Sequence, residues 1–371
     1  MDFIDLKYQQ LTIKNKIKTR IQTVLDHGKY IMGPEVFEFE ERLAAYVGVK
    51  YCISCSSGTD ALLIPLMAKK IGFGDAVITT PFTYFATAEV ISLLGATPVF
   101  VDVYPKTFNI NPDGIEVALR IAKAKGLKAK AIIPVDLFGL PARYRLINEI
   151  AERNNLFVIE DAAQGFGGLI KKQKACSFGD VGATSFFPAK PLGCYGDGGA
   201  IFTNDKALNL EMKSIRVHGA GQNKYNNKRI GINGRLDTIQ AAILIEKLNI
   251  FDDELLSRNE KAEYYLDNIT SNFQKPYIPK NYTSSWAQFS LVAESETLRK
   301  KVVRNFDQNE IPSMIYYPIP LHLQDAFKNL GYSSGDFPES ERIAKRIFSI
   351  PMHPYLNKSD QDKIIEVINN A

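Results

Sequence analysis

Between residues 51 and 203 the chain alternates short apolar runs with longer stretches whose apolar positions recur at helical spacing. The runs Tyr51–Ser54, Ala76–Thr79, Thr97–Val103, Ala131–Leu137, Leu156–Glu160, Ala183–Phe187 and Ala200–Thr203 read as strands. Between several of them, Thr59–Lys70, Ala86–Leu94, Gly114–Lys125 and Ala142–Asn154 read as helices. Such alternation predicts an α/β fold with a doubly wound, mostly parallel sheet. Ahead of the sheet, residues 1–14 read as an extended lead-in. They are followed by helices over Asn15–Asp26, closed at His27-Gly28, and over Glu35–Tyr46.

After Asp205 the pattern changes. A helix is predicted from about Ala207 to Arg216, then a polar stretch from His218 to Asn233 without apolar periodicity, then helices over Arg235–Ile250 and Asp252–Ser271. The remainder reads as a smaller α/β unit, with strands at Gln288–Val292 and Ser313–Tyr317 and helices at Thr297–Asn309, Ser340–Ser349 and Ser359–Asn369. The expected division is a large domain over residues 1–250 and a small C-terminal domain over 251–371. A polar segment as long as 218–233 inside a compact domain marks a functional or interface element. Its Gly219-Ala220-Gly221 has no preceding strand and no third glycine, so a nicotinamide-binding fingerprint is rejected.

Composition narrows the class. With 371 residues, 45% of them hydrophobic, and a net charge of only +4, the chain reads as an ordinary soluble protein with a large core. The basic patches at Lys123–Lys130 and Lys171–Lys174 lack interleaved aromatics, which argues against a nucleic-acid surface. Cys52 and Cys55 form a C-x-x-C, but it lies within a predicted buried strand. No second pair and no nearby histidine completes a metal site, so both are expected in the core. The N-terminal residues lack the apolar region of a signal peptide and no apolar run is long enough to span a bilayer; the expected location is the cytoplasm.

Candidate chemistry gathers at three places. Lys190 follows the Ala183–Phe187 strand, just after Pro188 and ahead of the glycine-rich Gly193–Gly199. Poor solvation at a buried strand end disfavours the ammonium form and frees the amine to act as a nucleophile. Asp161 ends the strand beginning at Leu156, where ligands of an open parallel sheet sit, and it also suits a helix N-cap. Ser56-Ser57-Gly58-Thr59-Asp60 joins a strand to a helix whose first amides face an anion. Ser185 adds a hydroxyl, and Tyr84 or Phe85 can stack on a flat ring or pack in the core. A lysine, an aspartate for a pyridine nitrogen and a phosphate cradle are what pyridoxal 5'-phosphate requires.

The order and spacing of GTDAL (Gly58–Leu62), PFTYFAT (Pro81–Thr87), EDAAQ (Glu160–Gln164), SFFPAK (Ser185–Lys190), GDGGA (Gly196–Ala200) and HPYL (His353–Leu356) resemble the DegT/DnrJ/EryC1/StrS family. Its members are pyridoxal-phosphate-dependent sugar aminotransferases of fold-type I, the aspartate aminotransferase-like architecture. The resemblance implies that Lys190 and Asp161 are the catalytic pair, with Lys190 moving the proton and Asp161 on the pyridine nitrogen. It also implies that Gln164 contacts the ring oxygen, Tyr84 lies on the ring face, and Gly58, Thr59 and Ser185 hold the phosphate. Asn233 resembles the asparagine that family members supply to the phosphate of the other subunit, which implies a homodimer with shared sites. A dehydratase branch has histidine where Lys190 stands, so lysine implies transamination.

Within the family, Ser185–Asp205, Arg229–Leu244 and YYPIPLH (Tyr316–His322) resemble the branch acting on UDP-2-acetamido-2-deoxy-3-oxo-glucuronate, with L-glutamate as donor and pyridoxamine phosphate as the intermediate cofactor form. That branch supplies a 3-amino sugar for O-antigen-type polysaccharide. The alternatives are a dTDP-linked 3-oxo- or 4-oxo-deoxyhexose and, from another class, a non-catalytic cofactor-binding regulator. Arg235 is the candidate partner of a substrate carboxylate, or else a surface ion-pair residue. Tyr317 and His322 are candidates to line the sugar pocket, or else packing residues. Asp136 stands in PVDLFG where many relatives have histidine.

Overall fold

The computed structural model describes residues 1–223, 225–270 and 273–371. Its centre is a seven-stranded sheet in the order Tyr51–Cys55, Gly199–Thr203, Val181–Ser185, Phe157–Asp161, Lys128–Ile132, Asp75–Thr79 and Thr97–Phe100. Gly199–Thr203 runs antiparallel to both neighbours, and the other pairings are parallel. Side chains of one strand alternate between faces, and the core divides accordingly. Cys52, Ile78 and Val158 pack in one cluster, with Phe39, Leu43, Ile147 and Leu244 of covering helices. Their neighbours Ile53, Val77 and Ile159 pack in another, with Leu62, Leu66, Val90 and Met212. Both faces are covered, so the strands carry near-continuous apolar runs rather than alternating ones. Cys52 and Cys55 are buried here.

A second, antiparallel sheet joins Phe273–Gln274, Phe289–Ala293 and Ile347–Ile350. Helices Phe251–Asn268, Glu296–Gln308 and Lys358–Asn369 cover it through Tyr265, Phe306 and Ile364. A third small sheet pairs Tyr282–Thr283 with the hairpin Leu169–Ile170 and Gln173–Lys174. Among the described residues no helix is long and apolar enough to cross a membrane.

Four expectations are corrected. Residues 1–14 are not an extended lead-in: a helix runs over Leu6–His27, capped by Asp5, whose side chain accepts the Tyr8 N–H. Only Gln9, Ile13, Ile17 and Val24 of that helix are buried, a stripe too narrow to stand out in sequence. Ser313–Tyr317 contributes one isolated bridge, Met314 to Ser349, rather than a strand. The helix expected over Ser340–Ser349 spans Pro338–Arg346 and gives way to the strand Ile347–Ile350, whose apolar run has no periodicity to separate the two. The strand expected at Ala131–Leu137 lies earlier, at Lys128–Ile132. The helix expected to reach Ser271 is described to Asn268, and Ser271 lies outside the described residues.

Candidate active site

The parallel strands end where Asp161 and Ser185 emerge side by side, with Asp161 in register with Ala183. Asp161 is 4% exposed. Its Oδ2 accepts the Thr87 hydroxyl at 2.9 Å, and its Oδ1 accepts the Ala163 N–H at 3.2 Å. Burial raises its carboxyl above the ordinary range, while these two donors and the charge of Lys190 hold it down. Thr87 is in turn bonded to Thr83, at 3.1 Å. Sequence reasoning quoted PFTYFAT for its aromatics and missed Thr87. The signal was a hydroxyl on the first turn of a helix, Ala86–Leu93, that packs beside the sheet.

Lys190 sits on the turn after Val181–Ser185, its N–H donating to the Phe187 carbonyl at 2.8 Å. Burial lowers the pKa of its ammonium, and the charge of Asp161 opposes the shift. A lysine in this state has a larger share of free amine near neutrality than one in water.

The cradle forms between two strand ends. Helix Gly58–Ala68 is capped by Ser57, whose Oγ accepts the Asp60 N–H at 3.0 Å. Ser185 lies against the first residue of that helix: a Cβ on Gly58 would come within 2.6 Å of the Ser185 Cβ and 2.9 Å of its Oγ. The position therefore takes only glycine, and backbone amides and a hydroxyl are brought to one spot. Thr59 follows in the same first turn.

Gln164 is buried, its Oε1 accepting the Phe138 N–H at 2.7 Å and its Nε2 donating to the Tyr317 hydroxyl at 2.9 Å. Burial pushes the Tyr317 phenol up, so it stays protonated. Its ring packs 6.3 Å from that of Tyr84, which is 59% exposed. Tyr84, Gln164 and Tyr317 thus form one connected wall.

Two predicted residues lie on a different element. Asn233 is exposed at the end of the polar stretch, where it bridges Val217, and Arg235 Nη2 donates to its Oδ1 at 2.5 Å. Between them, the Gly234 carbonyl accepts the Ser56 N–H at 3.1 Å, which ties this arm to the loop leading into the cradle of the same chain. His322 stands apart. Its side chain has no exposed surface, and its Nε2 lies 3.1 Å from Glu341 Oε1. Its ring packs edge-on against Phe337. With no accessible side-chain surface in this subunit, His322 fits the packing alternative better than a place on the sugar pocket.

Residues 11–369 match the DegT/DnrJ/EryC1/StrS aminotransferase family. The chain belongs to this family. It is 46% identical to the UDP-2-acetamido-2-deoxy-3-oxo-D-glucuronate aminotransferase of Pseudomonas aeruginosa over 100% of both chains. A solved DegT/DnrJ/EryC1/StrS aminotransferase from Brucella abortus superposes with a TM-score of 0.96 at 51% identity, covering 100% of this chain and 99% of that one. NtdA of Bacillus subtilis, solved with bound cofactor PMP, superposes with a TM-score of 0.88 at 29% identity, over 96% of this chain and 81% of its own. The fold-type I architecture expected from sequence is the one observed.

The residues present fit pyridoxal phosphate. The Gly58–Ser185 contact leaves no room for a side chain and brings a hydroxyl to the start of a helix, donors of the kind that a phosphate needs. Asp161 is a buried acid whose electrostatic counterpart is Lys190. No group of three or more His, Cys, Asp or Glu that could hold a metal occurs among the described residues.

Proposed function

We propose that this aminotransferase moves an amino group from L-glutamate to C3 of a UDP-linked 3-oxo-glucuronate, giving a 3-amino sugar for surface polysaccharide, and that it works as a homodimer. The observation that supports it most is the pairing of Lys190 with Asp161 beside the Gly58–Ser185 cradle. The full-length likeness to an enzyme named for that substrate supports the sugar assignment. When bound, pyridoxal phosphate supplies a carbonyl that carries the amino group and a ring that withdraws electrons from the reacting carbon.

The residues divide the remaining work. Gly58, Thr59 and Ser185 hold the phosphate through backbone amides and hydroxyls. Asp161, whose burial raises its pKa against the opposing Thr87 hydroxyl, Ala163 N–H and Lys190 charge, faces the ring nitrogen and pairs with its proton. Tyr84 covers the ring face, and Gln164, fixed by Phe138 and Tyr317, reaches the ring oxygen. Lys190 Nζ moves the proton between the substrate carbon and the cofactor, a role that its lowered pKa suits. Asn233 and Arg235 extend to the partner's site, Asn233 toward the phosphate and Arg235 toward a substrate carboxylate. Both the donor and a uronate carry such a carboxylate.

A half-reaction tests the reading. The holoenzyme is converted with glutamate, freed of donor and then given keto-sugar nucleotides one at a time. Return of the original cofactor absorbance with the UDP-3-oxo-glucuronate derivative supports the proposal. Return only with a dTDP-keto-deoxyhexose overturns the sugar assignment, and no response to glutamate overturns the donor.

A further inference from the structure

Behind Asp161, two more carboxyl groups meet inside the protein. Glu160 and Asp136 are both 0% exposed. Glu160 precedes Asp161 on the same strand and so faces the opposite side of the sheet. Its Oε1 accepts the Cys176 N–H at 2.5 Å and its Oε2 the Phe178 N–H at 2.7 Å. Asp136 Oδ1 accepts the Ala142 N–H at 2.9 Å and the Tyr144 hydroxyl at 2.7 Å. Asp136 Oδ2 is buried without a donor, and the Asp136 carboxyl lies within hydrogen-bonding reach of Glu160.

Ionised carboxyls only accept hydrogen bonds, so two of them in buried contact repel unless a proton lies between them. Among the described residues, the groups acting most strongly on the pair include no cation, and Tyr282 beyond them is neutral. Those groups are Tyr144 and Cys176, whose own protons burial holds in place, and Asp161, a further negative charge. Lys190 acts on Asp161, and Arg143 and Arg145 act on Tyr282 at the periphery. Burial pushes the Asp136 carboxyl up to about 7 and Glu160 well above its usual range.

The pair is wired to the site through backbone. The Asp136 N–H donates to the Asp161 carbonyl at 3.0 Å, and the Asp161 N–H donates to the Pro134 carbonyl at 2.9 Å. The turn that starts at Asp136 presents the Phe138 N–H to Gln164. Asp136 therefore sits at the root of both residues that address the ring.

We infer that Asp136 and Glu160 share one proton, and that this acid pair positions Asp161 and Gln164 by pinning the turn Asp136–Gly139. The positioning half rests on the ring contacts proposed above; the shared proton does not.

The test compares the holoenzyme with its Asp136→Asn variant, whose amide N–H reaches Glu160 without a titratable proton. At neutral pH the infrared spectrum of the wild type should carry a protonated-carboxyl C=O band that the variant lacks. Identical spectra would overturn the shared proton. Stability supplies a second reading. The folded pair keeps a proton that the unfolded chain releases at about pH 4. Wild-type Tm should thus fall relative to the variant as pH rises from about 4 through the Asp136 value of about 7, and a pH-independent difference would overturn the claim.

For positioning, Asp136→Ala strips the acceptor from Ala142 and Tyr144 and should shift the pH dependence of the bound cofactor's visible absorption, while Asp136→Asn preserves it. No shift with alanine, or an equal shift with both, would overturn the positioning role. Failure of the functional reading is a separate event, seen as a wild-type spectrum that glutamate does not alter.

Discussion

The Asp161 end of the sheet and the 218–233 arm hold the two halves of the candidate site, and they are built in opposite ways. At the first, every side-chain polar atom of Asp161 and Gln164 is held by a donor or acceptor of the same chain, and both residues are almost fully buried. At the second, the chain is tied at its root by Ile232 to Ile215 and Gly234 to Arg216, while Ile230 is 86% exposed and Asn233 is open to solvent. A folded core fixes the chemistry of the first region before any ligand arrives. The second has a fixed base and an exposed side at Ile230 and Asn233, where the proposed partner contact would be made.

The contrast can be broken at either end. The largest effect belongs to the core side: Lys190→Ala should lower turnover by roughly 10^4-fold or more, because Lys190 is the amine that acts on Asp161 among the described residues. Circular dichroism and gel filtration should match the wild type, since Lys190 contributes no side-chain bond to the fold. Retention of even a few per cent of turnover would mean that the chemistry lies elsewhere. On the arm, Asn233→Ala should cost about 1 kcal/mol, roughly a fivefold loss in cofactor affinity. Mixing sharpens this result. Dimers of one Lys190→Ala and one Asn233→Ala subunit should regain a site with wild-type cofactor affinity if the arm crosses the interface. If affinity stays at the Asn233→Ala level, the arm serves its own subunit.

The two regions also differed in how much the sequence disclosed. Strand Phe157–Asp161 was legible because a run buried on both faces is almost wholly apolar, which makes its terminal acids conspicuous. Gly58 was legible as the start of a helix after a strand, and the close approach of Ser185, visible only in the fold, explains why glycine stands there. Thr87 was not, since a threonine in a helical first turn looks the same whether it caps, packs or donates to a carboxylate 74 residues away. His322 could be read either way from sequence, because a histidine in YYPIPLH says nothing of a Glu341 that the fold brings to it from a later helix. The helix over Leu6–His27 and the strand Ile347–Ile350 were lost to weak periodicity, the first too polar and the second too uniformly apolar.

The most direct test of the central claim exploits a second buried lysine. Lys247 is 1% exposed, its amine lies 4.4 Å from the centroid of the Tyr195 ring, and burial lowers it to about 8. Low solvation alone would therefore not single out Lys190, since burial lowers Lys174 and Lys247 as well; among the described residues, Lys190 is the lysine that acts on Asp161. Reducing the holoenzyme with borohydride and mapping the modified peptide by mass spectrometry separates them. The account predicts the cofactor's mass on the peptide carrying Lys190 and none on Lys247. Label on Lys247, or on no lysine at all, would contradict it.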